Sequence, residues 1–211
     1  MRFIVADDHD SMRLLTFELL KKTFGVSSDH VTLVGTAEQL IEAASQPENA
    51  SALVVLDLVM PGTIKRLRLL KELKRRAPFA AVVVYTGYDS PHLAQELLYQ
   101  GVAGYVQKSS PLARLMEAVG EAMEQRRFID PALDTANNLK IEWWNLTTRE
   151  SDVVVALCKG WSAAKICEHY AIRPKTLSAH KRAAMAKLDI SEEAGLAAYI
   201  IENGLDYLLD E

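Results

Sequence analysis

The sequence predicts an α/β protein: a doubly wound, five-stranded parallel sheet followed by a smaller all-α unit of four helices. Three observations predict it. Short β-branched apolar runs alternate with longer amphipathic stretches through the first half. Those runs are apolar throughout instead of alternating, as strands covered on both faces require. In the last third the β-type runs cease, and helix caps and helix stops recur at short intervals.

Strands are expected at Phe3–Ala6, Val31–Val34, Leu53–Leu56, Val82–Tyr85 and Ala103–Val106. Between them lie amphipathic stretches such as Met12–Phe24, Leu67–Arg76, Ser90–Gln100 and Leu112–Gln125. Gly25, Gly35, Pro47, Pro78, Gly101 and Pro111 punctuate these stretches near their ends. Periodicity fails from Phe128 to Asn145, where Asp130-Pro131 and Asn137-Asn138 supply turn chemistry. The expected organisation is a first domain over 1–126, a linker over 127–144 with room for one short helix, and a second domain over 145–211.

In the second domain Thr147-Thr148-Arg149-Glu150 forms a capping box, so a helix runs to about Lys159 and stops at Gly160. Ser162 caps a second helix to about Tyr170. Pro174 suits the first position of a third, which runs to about Leu188. Ser191 is the expected cap of a fourth. Two short helices joined by a tight turn, the second one basic, make a helix-turn-helix layout.

With 211 residues, 49% apolar and 25% charged, the chain can bury two modest cores. No run approaches the roughly 18 apolar residues of a membrane span. The first apolar run stops at two acids, unlike a signal peptide. Cys158 and Cys167 have neither metal-ligand nor disulfide spacing and read as small buried hydrophobes. A reducing cytoplasm fits. The net charge of -4 is unevenly spread. Lys159, Lys165, Arg173, Lys175, Lys181, Arg182 and Lys187 face only Glu168, a footprint for a polyanion if the fold presents it.

The strand ends carry the chemistry. Asp7-Asp8 closes the first apolar run, Asp57 the third, and Lys108 follows the fifth. In a doubly wound sheet, ligands bind at these carboxyl ends. Three carboxylates and one ammonium can hold a divalent cation and present one acid for phosphorylation. Mg2+ fits, because it takes oxygen ligands and needs only one or two carboxylates. His9 reads as a loop residue, since Mg2+ seldom takes imidazole.

Asp7-Asp8, Leu-Asp57 followed by Met60-Pro61-Gly62, Thr86-Gly87 and Tyr105 with Lys108-Ser109-Ser110-Pro111 resemble the receiver domain of bacterial two-component response regulators, a flavodoxin-like fold. The resemblance covers roughly residues 2–125. It implies that Asp57 accepts phosphate from a sensor histidine kinase or phosphotransfer protein. Asp8, Asp57 and the main-chain carbonyl of Val59 would bind Mg2+, with Asp7 assisting. Thr86 would bond the phosphoryl group, Tyr105 would change rotamer with it, and Lys108 would contact the phosphate. Singly, a threonine here is an ordinary solvent-bonded residue and a strand tyrosine an ordinary core residue; the ordered set is what points to function. One departure stands out. The family continues with an acid and a glycine after Met60-Pro61-Gly62, where this chain has Thr63-Ile64-Lys65-Arg66. Either it alters phosphate lifetime or kinase recognition, or it is a tolerated loop insertion.

Leu146-Thr147-Thr148-Arg149-Glu150, Gly160-Trp161-Ser162, Ile166, Ile172, Thr176-Leu177, His180 and Lys187-Leu188 resemble the LuxR/NarL-type DNA-binding domain. That resemblance covers roughly 145–204 and implies that the helix from Pro174 enters the major groove. Ser178, Ala179 and Arg182 would face bases, with Lys175, Thr176, Lys181 and Lys187 toward the backbone of double-stranded DNA. Ser178–Met185 is similar to the reading helix of the capsule-synthesis regulator subgroup. Trp161 and His169 read as packing or turn residues. On the fourth helix Ala194, Ala197, Ala198 and Ile201 are spaced for one face: a homodimer contact in the family, or a core face.

The expected function is a phosphorylation-controlled transcription factor, not an enzyme except toward its own phosphoryl group. A nucleotide-dependent α/β enzyme is disfavoured because Asp7-Asp8-His9 stands where a glycine-rich phosphate loop would be. The alternative is a phosphorylation-independent regulator whose receiver serves as an interaction or dimerisation module.

Overall fold

The computed structural model describes residues 1–64, 66–133 and 142–210, the side chains of Arg66, Leu67 and Asp210 excepted. Lys65 and the expected Asn137-Asn138 turn lie outside them. The chain divides into two compact units, Met1–Asp89 with Ala94–Leu133, and Ser90–Leu93 with Asp134–Glu211.

The first unit is built on one parallel sheet. In chain order its elements are β1 (Phe3–Ala6), α1 (Asp10–Phe24), β2 (Val31–Val34), α2 (Ala37–Ala44), β3 (Leu53–Leu56), α3 (Arg66–Arg76), β4 (Ala81–Thr86), α4 (Pro91–Tyr99), β5 (Gly104–Gln107), α5 (Leu112–Met123) and β6 (Phe128–Ile129). The strand order is β2-β1-β3-β4-β5-β6, all parallel. The sheet therefore has six strands, one more than the sequence suggested. The sixth is two residues long, Phe128 pairing with Gly104 and Ile129 with Tyr105, inside the stretch read as linker. So short a run has no periodicity to detect; pairing alone defines it.

Strand alternation splits the core into two layers. Phe3, Val5, Leu53, Val55, Val83, Tyr85 and Val106 face Leu20 of α1 and Leu115 and Val119 of α5. The alternate residues Ile4, Val54, Val82, Val84 and Tyr105 are fully buried on the opposite side. Burial on both sides explains the continuous apolar runs of β1 and β3. β2 is an edge strand and leaves Leu33 exposed. Gly25 ends α1 in the left-handed conformation, its N–H returning to the Lys21 carbonyl.

In the second unit a 3-10 turn at Glu142–Asn145 precedes α6 (Thr148–Cys158), α7 (Ala163–His169), α8 (Pro174–Lys187) and α9 (Gly195–Glu202). Thr147 and Glu150 form the expected reciprocal capping box on α6, and Ser162 caps α7. Ser191 does not cap α9: the helix starts four residues later, with Ala194 in the capping position and no side-chain bond. Val153, Ala156, Ile166 and Leu177 make the core, with Trp161, Tyr170 and Ile172 packed around it. Cys158 and Cys167 are free and half-buried, and burial pushes the Cys158 thiol up to about 11, so it is unreactive.

Candidate functional site

In the order β2-β1-β3 the chain reverses direction of winding between β1 and β3, the switch point where doubly wound sheets bind ligands. Asp7 follows β1 directly and Asp57 follows β3 directly, so parallel pairing in register brings the two acids side by side. Asp57 is only 3% exposed. Lys108, which follows β5, reaches both: its Nζ lies 2.7 Å from Asp57 Oδ2 and 2.6 Å from Asp7 Oδ2. Ligand atoms of Asp7, Asp8, His9 and Asp57 all lie within 4.8 Å of one another. Three carboxylates form a hard oxygen donor set, which fits Mg2+ better than a softer metal.

The electrostatics follow from burial. Loss of water pushes the Asp57 carboxyl above the ordinary carboxylate range, and the neighbouring Asp7 charge adds to it. The Lys108 hydrogen bond and charge and the Val59 N–H, 3.0 Å from Asp57 Oδ1, oppose that rise. Burial would lower the Lys108 ammonium, but its bonds to Asp57 and Asp7 outweigh this and hold it charged. Lys108 Nζ also lies 5.9 Å from the centre of the Tyr85 ring.

The other expected receiver residues sit on the next strands. Thr86 ends β4, is fully buried, and its Oγ1 accepts from the Tyr88 N–H at 3.5 Å. Tyr105 is fully buried on β5, and its hydroxyl donates to the Tyr88 carbonyl at 2.7 Å. The Tyr88 backbone, through its N–H and its carbonyl, thus links both candidate switch residues, a role its sequence position did not advertise. Val59 is 48% exposed while its N–H binds Asp57. His9 is bonded through Nδ1 to Asp8 Oδ1 at 2.7 Å, so it orients an acid of the site. The Arg13 guanidinium donates to the Asp7 carbonyl.

The atypical loop after Gly62 is fastened to α2. Glu38, in the first turn of α2, accepts both the Thr63 N–H (2.7 Å) and the Thr63 hydroxyl (2.9 Å). These bonds, the Thr63 N–H foremost, hold the Glu38 carboxyl below its usual range. The Ala37 N–H donates to the Pro61 carbonyl at 3.0 Å. Gly62 has φ 150°, and a Cβ there would lie 2.7 Å from the Ala37 Cβ, so only glycine allows this approach. The segment from Asp57 to Thr63 is therefore held at both ends.

On α8, Leu177 and Ala184 are buried at i and i+7, a narrow apolar stripe. Lys175, Thr176, Ser178, Ala179 and Arg182 are exposed, as a reading face requires. Two lysines expected at the DNA backbone are engaged within the domain. Lys181 Nζ lies 2.7 Å from Glu193 Oε2, and Lys187 Nζ lies 2.7 Å from Glu150 Oε2. The Lys187 bond and the Thr147 N–H hold the buried Glu150 carboxyl low. Trp161 carries the Lys165 ammonium 4.1 Å over its ring and meets His169 edge-on. On α9 the buried residues are Leu196 and Ile200; Ala194, Ala197, Ala198 and Ile201 are exposed, so they do not form the core face of this helix.

An acid–lysine pocket at the switch point of a parallel sheet, joined in one chain to a helix-turn-helix, defines a signal-receiving DNA-binding regulator. The model of the response regulator receiver domain matches residues 3–120, and that of the bacterial regulatory proteins of the luxR family matches residues 144–200. The chain belongs to the response regulator family, with a LuxR-type DNA-binding domain, and is a transcription regulator and not a conventional enzyme. The oxygen regulatory protein NreC of Staphylococcus carnosus is 25% identical over 97% of this chain and 99% of its own length. RcsB of Salmonella enterica serovar Typhimurium, bound to the rprA promoter with a BeF3- phosphomimetic, superposes with a TM-score of 0.64 at 24% identity, over 95% of this chain and 98% of that one. A structure of two RcsB dimers bound to two parallel DNAs superposes with a TM-score of 0.62 at 23% identity and the same coverage.

Proposed function

We propose that Asp57 is phosphorylated by a sensor histidine kinase or phosphotransfer protein, and that this phosphorylation controls promoter binding by α8. The observation that carries the proposal is the Lys108 ammonium held between Asp7 and Asp57, with Asp8 beside them. A carboxylate oxygen of Asp57 attacks the phosphorus, the P–N bond of the donor phosphohistidine breaks, and the electron pair stays on the imidazole nitrogen. Lys108 meets the phosphoryl oxygens. Asp8, Asp57 and the Val59 carbonyl, with Asp7 assisting, would hold Mg2+, whose charge would offset the crowding of these oxygens. The receiver thus catalyses its own phosphotransfer and dephosphorylation.

The switch runs through Tyr88. Thr86 turns its hydroxyl from the Tyr88 N–H to the phosphoryl group, and the Tyr88 carbonyl that holds Tyr105 moves with it. Exposed Ala194, Ala197, Ala198 and Ile201 supply a homodimer contact on paired half-sites. Exposed Arg182 reads a base edge, with Ser178 and Ala179 beside it; Lys175, Thr176, Lys181 and Lys187 lie toward the phosphates. The last two must exchange a carboxylate partner to do so. A regulator that binds promoter DNA works in the cytoplasm; among the described residues no helix is long and apolar enough to cross a membrane. Labelling with a small acyl-phosphate donor and Mg2+ tests the site: the parent should take up phosphate and Asp57→Ala should not. Equal labelling of the two would remove the assignment.

A further inference from the structure

The densest positive segment of this chain is not in its helix-turn-helix. Within residues 65–76, Lys65, Arg66, Arg68, Lys71, Lys74, Arg75 and Arg76 face only Glu72. The same seven-to-one balance in the DNA-binding domain is spread from residue 159 to 187. α3 turns Leu69, Leu70 and Leu73 into the core, each at most 1% exposed, and leaves Arg68, Lys71, Arg75 and Arg76 on its outer face.

The cations on this helix do different work. Lys74 is structural: its half-buried ammonium donates to the Ala80 carbonyl at 3.3 Å and the Gly101 carbonyl at 2.9 Å. Arg75 and Arg76 share the single Glu72 carboxylate, at 2.6 Å and 2.8 Å. Arg68 and Lys71 have no acidic partner among the described residues. Like charges three and four residues apart on a helix repel, so the fold gains nothing from this pattern. A polyanion laid along the helix would relieve it.

We propose that the outer face of α3, centred on Arg68 and Lys71, is a second and sequence-independent contact for DNA phosphates. The inference rests on the DNA-binding reading above. Both helices belong to one chain, so a phosphate contact by α3 would add to the binding that α8 begins. Arg68 and Arg75 are about 10 Å apart along the helix axis, and each DNA strand offers a phosphate per roughly 3.4 Å of the duplex axis. A row of this length spans several phosphates, and guanidinium groups bind them in bidentate fashion.

The test is the salt dependence of binding to a mixed-sequence duplex by the full chain. Arg68→Gln/Lys71→Gln should flatten the slope of log K against log salt by up to about 1.8, at roughly 0.9 per phosphate. At ~0.1 M salt this is as much as a ~60-fold loss of affinity. Arg68→Lys should keep the parent slope, and Lys71→Gln alone should flatten it by about 0.9, which serves if the double variant melts early. If the parent binds duplex and the double variant keeps the parent slope, the α3 contact is overturned while the DNA-binding reading stands. If the parent binds no duplex, both fall. A double variant that keeps its DNA slope but loses binding to phosphatidylserine vesicles overturns the contact in favour of a membrane surface.

Discussion

Replacing Lys108 by Met removes one ammonium from between two carboxylates that are 5% and 3% exposed. Breaking a buried pair by removing one partner costs about 3–5 kcal/mol, because a charge is left without compensation. For a domain of this size, roughly 3–5 °C of melting temperature accompanies each kcal/mol, so the receiver transition should fall by roughly 9–25 °C at neutral pH. The pH dependence has a definite sign. Lys108 opposes the rise that burial imposes on Asp57, so its removal raises the folded carboxyl further. A carboxyl raised above its unfolded value, about 4, favours the fold below that value and disfavours it as pH rises through the folded one. The deficit of Lys108→Met should therefore be small near pH 4 and complete at neutrality, and Mg2+ should recover more stability in the variant than in the parent. Thermal melting across pH, with and without Mg2+, reads all three. A deficit below about 1 kcal/mol, or one constant from pH 4 to 7.5, would refute the reasoning.

Three further outcomes are expected. Glu38→Gln loosens the grip on Thr63 and should weaken Mg2+ binding at the acids by about 10-fold, seen by titration of resonances near Asp57, while Asp57 remains the labelled residue. Arg182→Ala should erase about 1–3 kcal/mol of base discrimination in competition binding and leave affinity for mixed-sequence duplex nearly unchanged. Thr147→Ala should cost the DNA-binding domain about 1 kcal/mol through loss of the α6 cap. Glu150 is held low by Lys187 and the Thr147 N–H, so its contribution is present above the ordinary carboxylate range and lost as pH falls through the folded value. Lys187→Ala should narrow that pH response in the same melting series.

Where signals were local, they were legible in the sequence. The bounds of β1, β2 and β3 matched the apolar runs residue for residue, and strand ends alone located Asp7, Asp57 and Lys108. The Thr147 and Glu150 box lies within one turn and was equally plain. What escaped depends on distant partners. β6 exists only because Phe128 pairs with Gly104. Glu38 meets Thr63 across 25 positions and Lys187 meets Glu150 across 37, so neither pair leaves a periodic trace. The Tyr88 link uses backbone atoms, which residue identity does not encode.

The central claim is that charge at Asp57 governs DNA binding by α8. It is tested most directly by duplex affinity of the full chain with and without beryllofluoride and Mg2+, in parent and Asp57→Ala. The account predicts tighter binding on adding beryllofluoride to the parent and no change in Asp57→Ala. Equal affinity in the parent with its site demonstrably occupied would contradict it and favour a receiver that acts without phosphorylation.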